Sequence, residues 1–354
     1  MSANALDSAG IAAVDAAGLL GDILSIPDHI SDAMWRAESA MLEPGSADSL
    51  VVCGMGGSAI GADLAAAVIG SAATKPIVTN RSYDLPSWVG EGDAIVLSSY
   101  SGSTEETLSC FEQARGSGAK LYVISSGGLI SEIAHAEGIP VIGLPGIFQP
   151  RAAVAYGVVS VIEIAIANGI APSSIRKDLE AAAELLRGLA GEWGADSDES
   201  HPKRLARQAF GRLPIVYGAD LTAPIAYRWK CQINENAKRP AWSAELSEAN
   251  HNEICGWEGA SESGGNAAWF LTDADQNERT AERVRITSEI ASSHGARSEI
   301  IPSIGDTRAE RLFSLVLLGD LMSFYLAVLH GVDPSPVPLI ENLKDQLGRP
   351  TNAG

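Results

Sequence analysis

Positive charge is scarce in this sequence. Against 44 Asp and Glu stand 25 Lys and Arg, a formal net charge of −19. Such a field repels nucleic-acid backbones and anionic membrane surfaces, so neither is an expected partner. A phosphorylated ligand is repelled at long range too, and an anion site must then be built from backbone dipoles, hydroxyls and a few placed cations. Cysteine is sparse as well: Cys53, Cys110, Cys231 and Cys255 lie far apart with no CxxC spacing, which argues against a disulfide framework or a zinc site and for a reducing cytoplasm. There is no cluster of metal-ligand histidines. His251 with Glu253 is the nearest pairing, and zinc needs more ligands than that. Met1 to Gly21 has Asp7 and Asp15 but no basic stretch before an apolar run, unlike a secretory signal. Nor is any apolar run long and unbroken: Leu312 to Leu329 is interrupted by Gly319, Asp320 and Ser323 and reads as a buried helix rather than a membrane span.

What remains is a globular composition. Hydrophobic residues make up 46% and charged residues 19% of the 354, a length that favours two cores over one. Apolar runs of strand length fall at 49–54, 76–80, 93–100, 120–126 and 139–144, alternating with segments of helical spacing such as Ala59 to Ile69 and Thr104 to Arg115. Alternation at this period predicts right-handed βαβ units on a mostly parallel sheet. A second such pattern uses 213–220, a long helix from about Ala223, then 267–275 and 298–304, so the halves echo each other. The expected fold is α/β, with two doubly wound parallel-sheet domains and flanking N- and C-terminal helices. Residues 1–170 form the first domain with an N-terminal helix, 171–200 a helix and linker, and 201–354 the second domain with a C-terminal helix.

Two loops stand out. Gly54-Met55-Gly56-Gly57-Ser58-Ala59-Ile60-Gly61 follows a strand and opens a helix, where glycines admit a ligand close to the backbone and free N–H groups favour an anion. By itself this also fits a dinucleotide fingerprint, with Arg81 placed for a 2′-phosphate, or a ligand-free turn. The second loop, Ser98 to Thr107 (SSYSGSTEET), is crowded with hydroxyls at another strand end. Helix capping accounts for one of them. A run of short uncharged donors suits a phosphate monoester, and a nicotinamide site has no use for it. In a doubly wound sheet the two loops converge on one crevice.

GMGGSAIG together with SSYSGSTEET resembles the sugar isomerase (SIS) domain. With PRAAVAYG, YRWKCQINENAK, ELSEANHNEICGWE and DPSPVPLIENLK, the chain from about residue 50 to 345 resembles the bifunctional phosphoglucose/phosphomannose isomerases. The resemblance implies two SIS-type domains, no metal and no organic cofactor, and a hexose 6-phosphate held by Gly57, Ser58, Ser99, Ser101 and Thr104.

The chemistry it implies is interconversion of aldose and ketose through a cis-enediol, which needs a base to move a proton between C2 and C1. Helical spacing puts Arg228, Gln232 and Glu235 on one face, which otherwise reads as a solvated stripe with a Glu235–Lys238 ion pair. The resemblance makes Glu235 the base and Arg151 the cation on the enediolate oxygen. It makes His251 the ring-opening residue, delivered to the partner's site in a homodimer, and it gives Lys344 a supporting part at the ring-opening end. The stretch containing Ser335 is where a small residue admitting both C2 epimers is sought. His29, His135, His201 and His294 read as hydrated histidines. Two other functions fit parts of the sequence. A non-catalytic sugar-phosphate sensor would use the same loops but leaves Arg151, Glu235, His251 and Lys344 idle, and an NADP-dependent oxidoreductase leaves the serine-rich loop unexplained.

Overall fold

The structure, a computed structural model, describes residues 6–197, 199–262 and 265–348; the outermost residues of the two expected domains, 1–5 and 349–354, lie outside it. The five apolar runs of the first half become β1 (Leu50–Cys53), β2 (Ile77–Asn80), β3 (Ala94–Ser98), β4 (Lys120–Ser125) and β5 (Val141–Gly143). They pair in parallel in the order β2-β1-β3-β4-β5. Every residue of β1 and β3 is buried, which is why these strands read as unbroken apolar runs. The second half forms β6 (Leu213–Gly218), β7 (Trp242–Glu245), β8 (Asn266–Thr272) and β9 (Arg297–Pro302), in the order β7-β6-β8-β9 and again all parallel. The second sheet thus repeats the first without its last strand. β7 was not legible in the sequence, because an edge strand with exposed ends buries too little to need an apolar run.

Helices α1 (Ser8–Ala12), α2 (Leu19–Leu24) and α3 (Ile26–Ser39) precede the first sheet. Its strands are linked by α4 (Gly56–Ile69), α5 (Glu105–Ala114) and α6 (Gly128–Ala136); α7 (Val154–Ala167), α8 (Ile175–Trp193) and α9 (His201–Ala209) lead to the second sheet. There α10 (Ala223–Asn236) and α11 (Glu278–Ser293) cross over, followed by α12 (Arg308–His330) and α13 (Pro338–Leu347). The expected helix and linker at 171–200 is mostly α8. Its buried face, Leu179, Ala182, Ala183, Leu186 and Leu189, has helical spacing and packs on α3 and α12. Only the short polar stretch after Trp193 is left as a connection.

By length and composition α12 could cross a membrane, yet nearly all of its apolar window is buried inside the protein. It is a core helix, as its interruptions at Asp320 and Ser323 suggest. Thr307 and Glu310 cap its start reciprocally, and Gly331 ends it in the left-handed region at φ 64°. One continuous apolar core includes Val52 and Ile162 from the first half with Val216, Trp269 and Phe313 from the second. The two sheets are therefore held by shared packing rather than a tether. A close crossing of α4 and α7 matters most for function: a Cβ on Gly61 would come within 3.3 Å of the Gly157 Cα. Small residues there let the start of α7, and the chain just before it, lie against the first glycine-rich loop.

Candidate functional site

The strand order reverses between β1 and β3, and ligands in such sheets bind in the crevice beyond the carboxyl ends at that point. Both loops singled out in the sequence end there. Gly54 packs so closely on the end of β3 that a Cβ would lie 2.9 Å from the Ser98 carbonyl oxygen. α4 begins at Gly56 with no side-chain cap; the Ser58 N–H turns back to the Met55 carbonyl, and the N–H groups of Gly56 and Gly57 ahead of it are open to a ligand. Ser99 is buried, and its hydroxyl shares a 2.8 Å hydrogen bond with the Thr104 hydroxyl. Ser101 is exposed and accepts from the Ser103 hydroxyl at 3.3 Å. The loop turns on Gly102 at φ +69°, where a Cβ would stand 1.8 Å from the Gly127 carbonyl oxygen. No other residue fits. Gly102→Ala is expected to destabilise the fold by about 2–3 kcal/mol and to weaken phosphate binding in the same variant, read by melting and by inorganic-phosphate competition. Tight phosphate binding with an unchanged melting temperature would show that the turn tolerates a side chain. Arg81, the residue that suited a 2′-phosphate, is instead ion-paired with Asp63.

Arg151 sits directly behind the first loop, since a Cβ on Gly57 would lie 3.2 Å from the Pro150 carbonyl oxygen. Only 5% of its side chain is exposed. Nε donates to Asn236 Oδ1 at 2.7 Å, and NH2 donates to the carbonyls of Pro334 at 2.7 Å and Ser335 at 2.9 Å. NH1 has only long contacts, 3.5 Å to Gln149 Oε1 and 3.6 Å to Glu235 Oε2. Burial pulls the guanidinium below its ordinary value and Glu235 draws it back up. Glu235 is a third exposed, at the last turn of α10. A carboxylate and a fixed cation therefore face each other at an open edge, beside the first glycine-rich loop. Among the described residues no group of three or more His, Cys, Asp or Glu is arranged to hold a metal ion.

Comparison with known proteins shows the family. Residues 198–347 match the family model of the bacterial phospho-glucose isomerase C-terminal SIS domain. A bifunctional phosphoglucose/phosphomannose isomerase of Caldicellulosiruptor bescii is 36% identical over 92% of this chain and 97% of its own length. The chain belongs to that isomerase family. The Aquifex aeolicus protein of the same name is also 36% identical, over 84% of this chain and 90% of its own. A solved structure from Thermus thermophilus, described as a hypothetical protein, superposes with a TM-score of 0.73 at 16% identity, over 95% of this chain and 91% of that one. At that identity the likeness concerns the fold.

The remaining sequence candidates of the isomerase fall in different surroundings. His251 ends a short 3₁₀ segment, Glu248–His251, that follows β7; it is exposed and makes no side-chain hydrogen bond among the described residues. Lys344 is exposed on α13, a helix with no buried residue. The first turn of α13 nevertheless walls a pocket of about 500 Å³ with Asn234, Glu235 and Lys238. The solvated-stripe alternative fails for α10: Arg228 and Gln232 are buried, and Glu235 pairs with Arg151. Lys238 lies past the helix end at φ 55°, and its Nζ donates to the backbone carbonyls of Glu235 and Pro334. The reading of His29 as hydrated is corrected as well. It is buried between Phe148 and Tyr156, with burial lowering its pKa.

Sequence reasoning missed Asn236, Asp320 and Ser323, which stand behind the site. Asp320 is 1% exposed and takes both Arg228 Nε at 3.0 Å and NH2 at 2.6 Å, with Gln232 Nε2 at 2.9 Å. The signal was present: a lone carboxylate in an apolar helix must have partners.

Proposed function

We propose that this isomerase interconverts glucose 6-phosphate and mannose 6-phosphate with fructose 6-phosphate by proton transfer through a cis-enediol, without metal or organic cofactor. The observation that carries the reading is Glu235 facing the free edge of Arg151 across 3.6 Å, next to the glycine-rich loop. The two aldoses differ only at C2, the carbon whose configuration is lost in the enediol, so one base and one cation serve both.

In this reading residues 1–170 carry the phosphate loops and 201–354 bring the base. Gly57, Ser58, Ser99, Ser101 and Thr104 hold the phosphate through backbone N–H and hydroxyl donors. Glu235 moves the proton between C2 and C1, while Arg151 NH1 stabilises the enediolate oxygen. Ring opening needs proton transfer at the ring oxygen and C1 hydroxyl, which suits an imidazole. His251 supplies it to a partner's site in a homodimer, with Lys344 assisting. Its exposed, unbonded state within one chain supports that assignment. Ser335, buried with an unpartnered hydroxyl, is the candidate for tolerating both epimers. The free thiols fit a cytoplasmic setting.

A coupled assay for fructose 6-phosphate, started from each aldose with and without chelator, tests the reaction. Turnover of both that survives chelation is expected; no product from either aldose sinks the reading. The shared site has its own test. Equimolar co-refolding of His251→Ala with Glu235→Gln chains is expected to recover about a quarter of wild-type activity, from hybrid dimers with one intact site. Recovery of none would place His251 in its own chain's site or outside the mechanism.

A further inference from the structure

Behind Arg151 lies a buried polar relay that touches neither solvent nor the crevice. Asn236 is fully buried. Its Oδ1 accepts from Arg151 Nε at 2.7 Å, and its Nδ2 donates to Ser323 Oγ at 2.9 Å. The Ser323 hydroxyl in turn donates to the Asp320 carbonyl at 2.8 Å. Since that hydroxyl's proton is committed, it can only accept from Asn236, and the amide is held with its oxygen toward the arginine. Asp320 binds Arg228, and Arg228 NH2 donates to the Arg151 carbonyl at 2.9 Å. The arginine is thus gripped at its backbone and at Nε from one side, and at NH2 by two carbonyls of the 334–335 segment from the other. The one guanidinium nitrogen without a tight partner is NH1, which faces Glu235.

We propose that Asn236 and Ser323 are positioning residues for the isomerisation: by fixing which way the Asn236 amide points, they leave NH1 of Arg151 aimed at the oxygen that becomes negative opposite Glu235. The inference rests on the roles assigned above to Arg151 and Glu235. Its physical content is that the cation is placed before substrate arrives, so no reorganisation is needed as charge develops. A guanidinium free to turn would still neutralise the cavity but would present a different N–H, and misplacement on the scale of 1 Å costs about 100-fold in rate. Without the Ser323 acceptor, the Asn236 Nδ2 group loses its partner and the amide is held in its present orientation by Arg151 Nε alone, so it turns more freely. Once flipped, its NH2 group opposes Arg151 Nε donor to donor.

The variants are Ser323→Ala and Asn236→Ala, with Arg151→Ala and Glu235→Gln as controls on the underlying reading. Steady-state kinetics would be measured with glucose 6-phosphate and its C2-deuterated form. For Ser323→Ala and Asn236→Ala we expect kcat to fall about 10- to 100-fold, KM to change less than about threefold, and the deuterium isotope effect on kcat to rise as proton transfer becomes limiting. A merely structural role would lower the amount of active protein and leave the isotope effect where it was. If both controls lose activity while Ser323→Ala and Asn236→Ala keep wild-type kcat and isotope effect, the relay has no positioning role. If the controls themselves keep full activity, the assignment of Arg151 and Glu235 falls first.

Discussion

Glu235→Gln is expected to lower kcat for isomerisation about 10²- to 10⁴-fold, the usual worth of a positioned general base, while a sugar phosphate still binds. Glutamine keeps the size of the side chain and an oxygen toward Arg151 NH1, which it approaches at 3.6 Å in the wild type, but it cannot take a proton from C2. The proposed phosphate donors lie in the loops after β1 and β3, and Glu235 comes from α10 beside the other sheet. Loss of the base therefore leaves the anchor intact. Stopped-flow or coupled kinetics give kcat, and equilibrium binding of fructose 6-phosphate gives the second quantity. Full turnover in the variant would remove Glu235 from the mechanism; loss of binding along with turnover would mean that the carboxylate helps hold the sugar rather than deprotonate it.

Asp320→Ala is expected to destabilise the protein by about 3–5 kcal/mol, because it strands Arg228 in the core without its counter-charge. Arg228 is 2% exposed and Asp320 1%, so water does not reach the orphaned guanidinium. Burial raises the Asp320 pKa, and the facing Arg228 and the Gln232 amide work against that rise. The test is a denaturant or thermal midpoint for Asp320→Ala beside the double variant Asp320→Leu with Arg228→Met. An apolar pair of similar bulk avoids the unpaired charge, and the double variant should recover most of the lost stability. Its kcat should stay low, since Arg228 no longer grips the Arg151 carbonyl. A single variant as stable as wild type would mean that water or another anion compensates Arg228.

Much of this architecture was legible one strand at a time. β1 and β3 announced themselves as apolar runs because both faces are covered. β7 did not, since Trp242 and Glu245 at its ends face solvent. The segment 171–200 carried linker composition only after Trp193; the heptad-like apolar face of α8 was the stronger signal. Among the candidate site residues, Arg151 and Glu235 come together, 3.6 Å apart. Lys344 and His251 lie on exposed segments, with no hydrogen bond or ion pair to either of them among the described residues.

The sequence by itself determined the βαβ alternation, the glycine-rich and hydroxyl-rich loops at two strand ends and the chemical types in NENAK, because periodicity and residue chemistry are local properties. Only the tertiary structure decided that Arg151 would point one nitrogen at Glu235. That outcome depends on Asn236, Ser323, Asp320, Pro334 and Ser335, which lie 85 to 184 residues from Arg151. Side chains that far apart in the chain find each other only when α10 and α12 pack, and no local pattern records which of a buried arginine's donors will be left over.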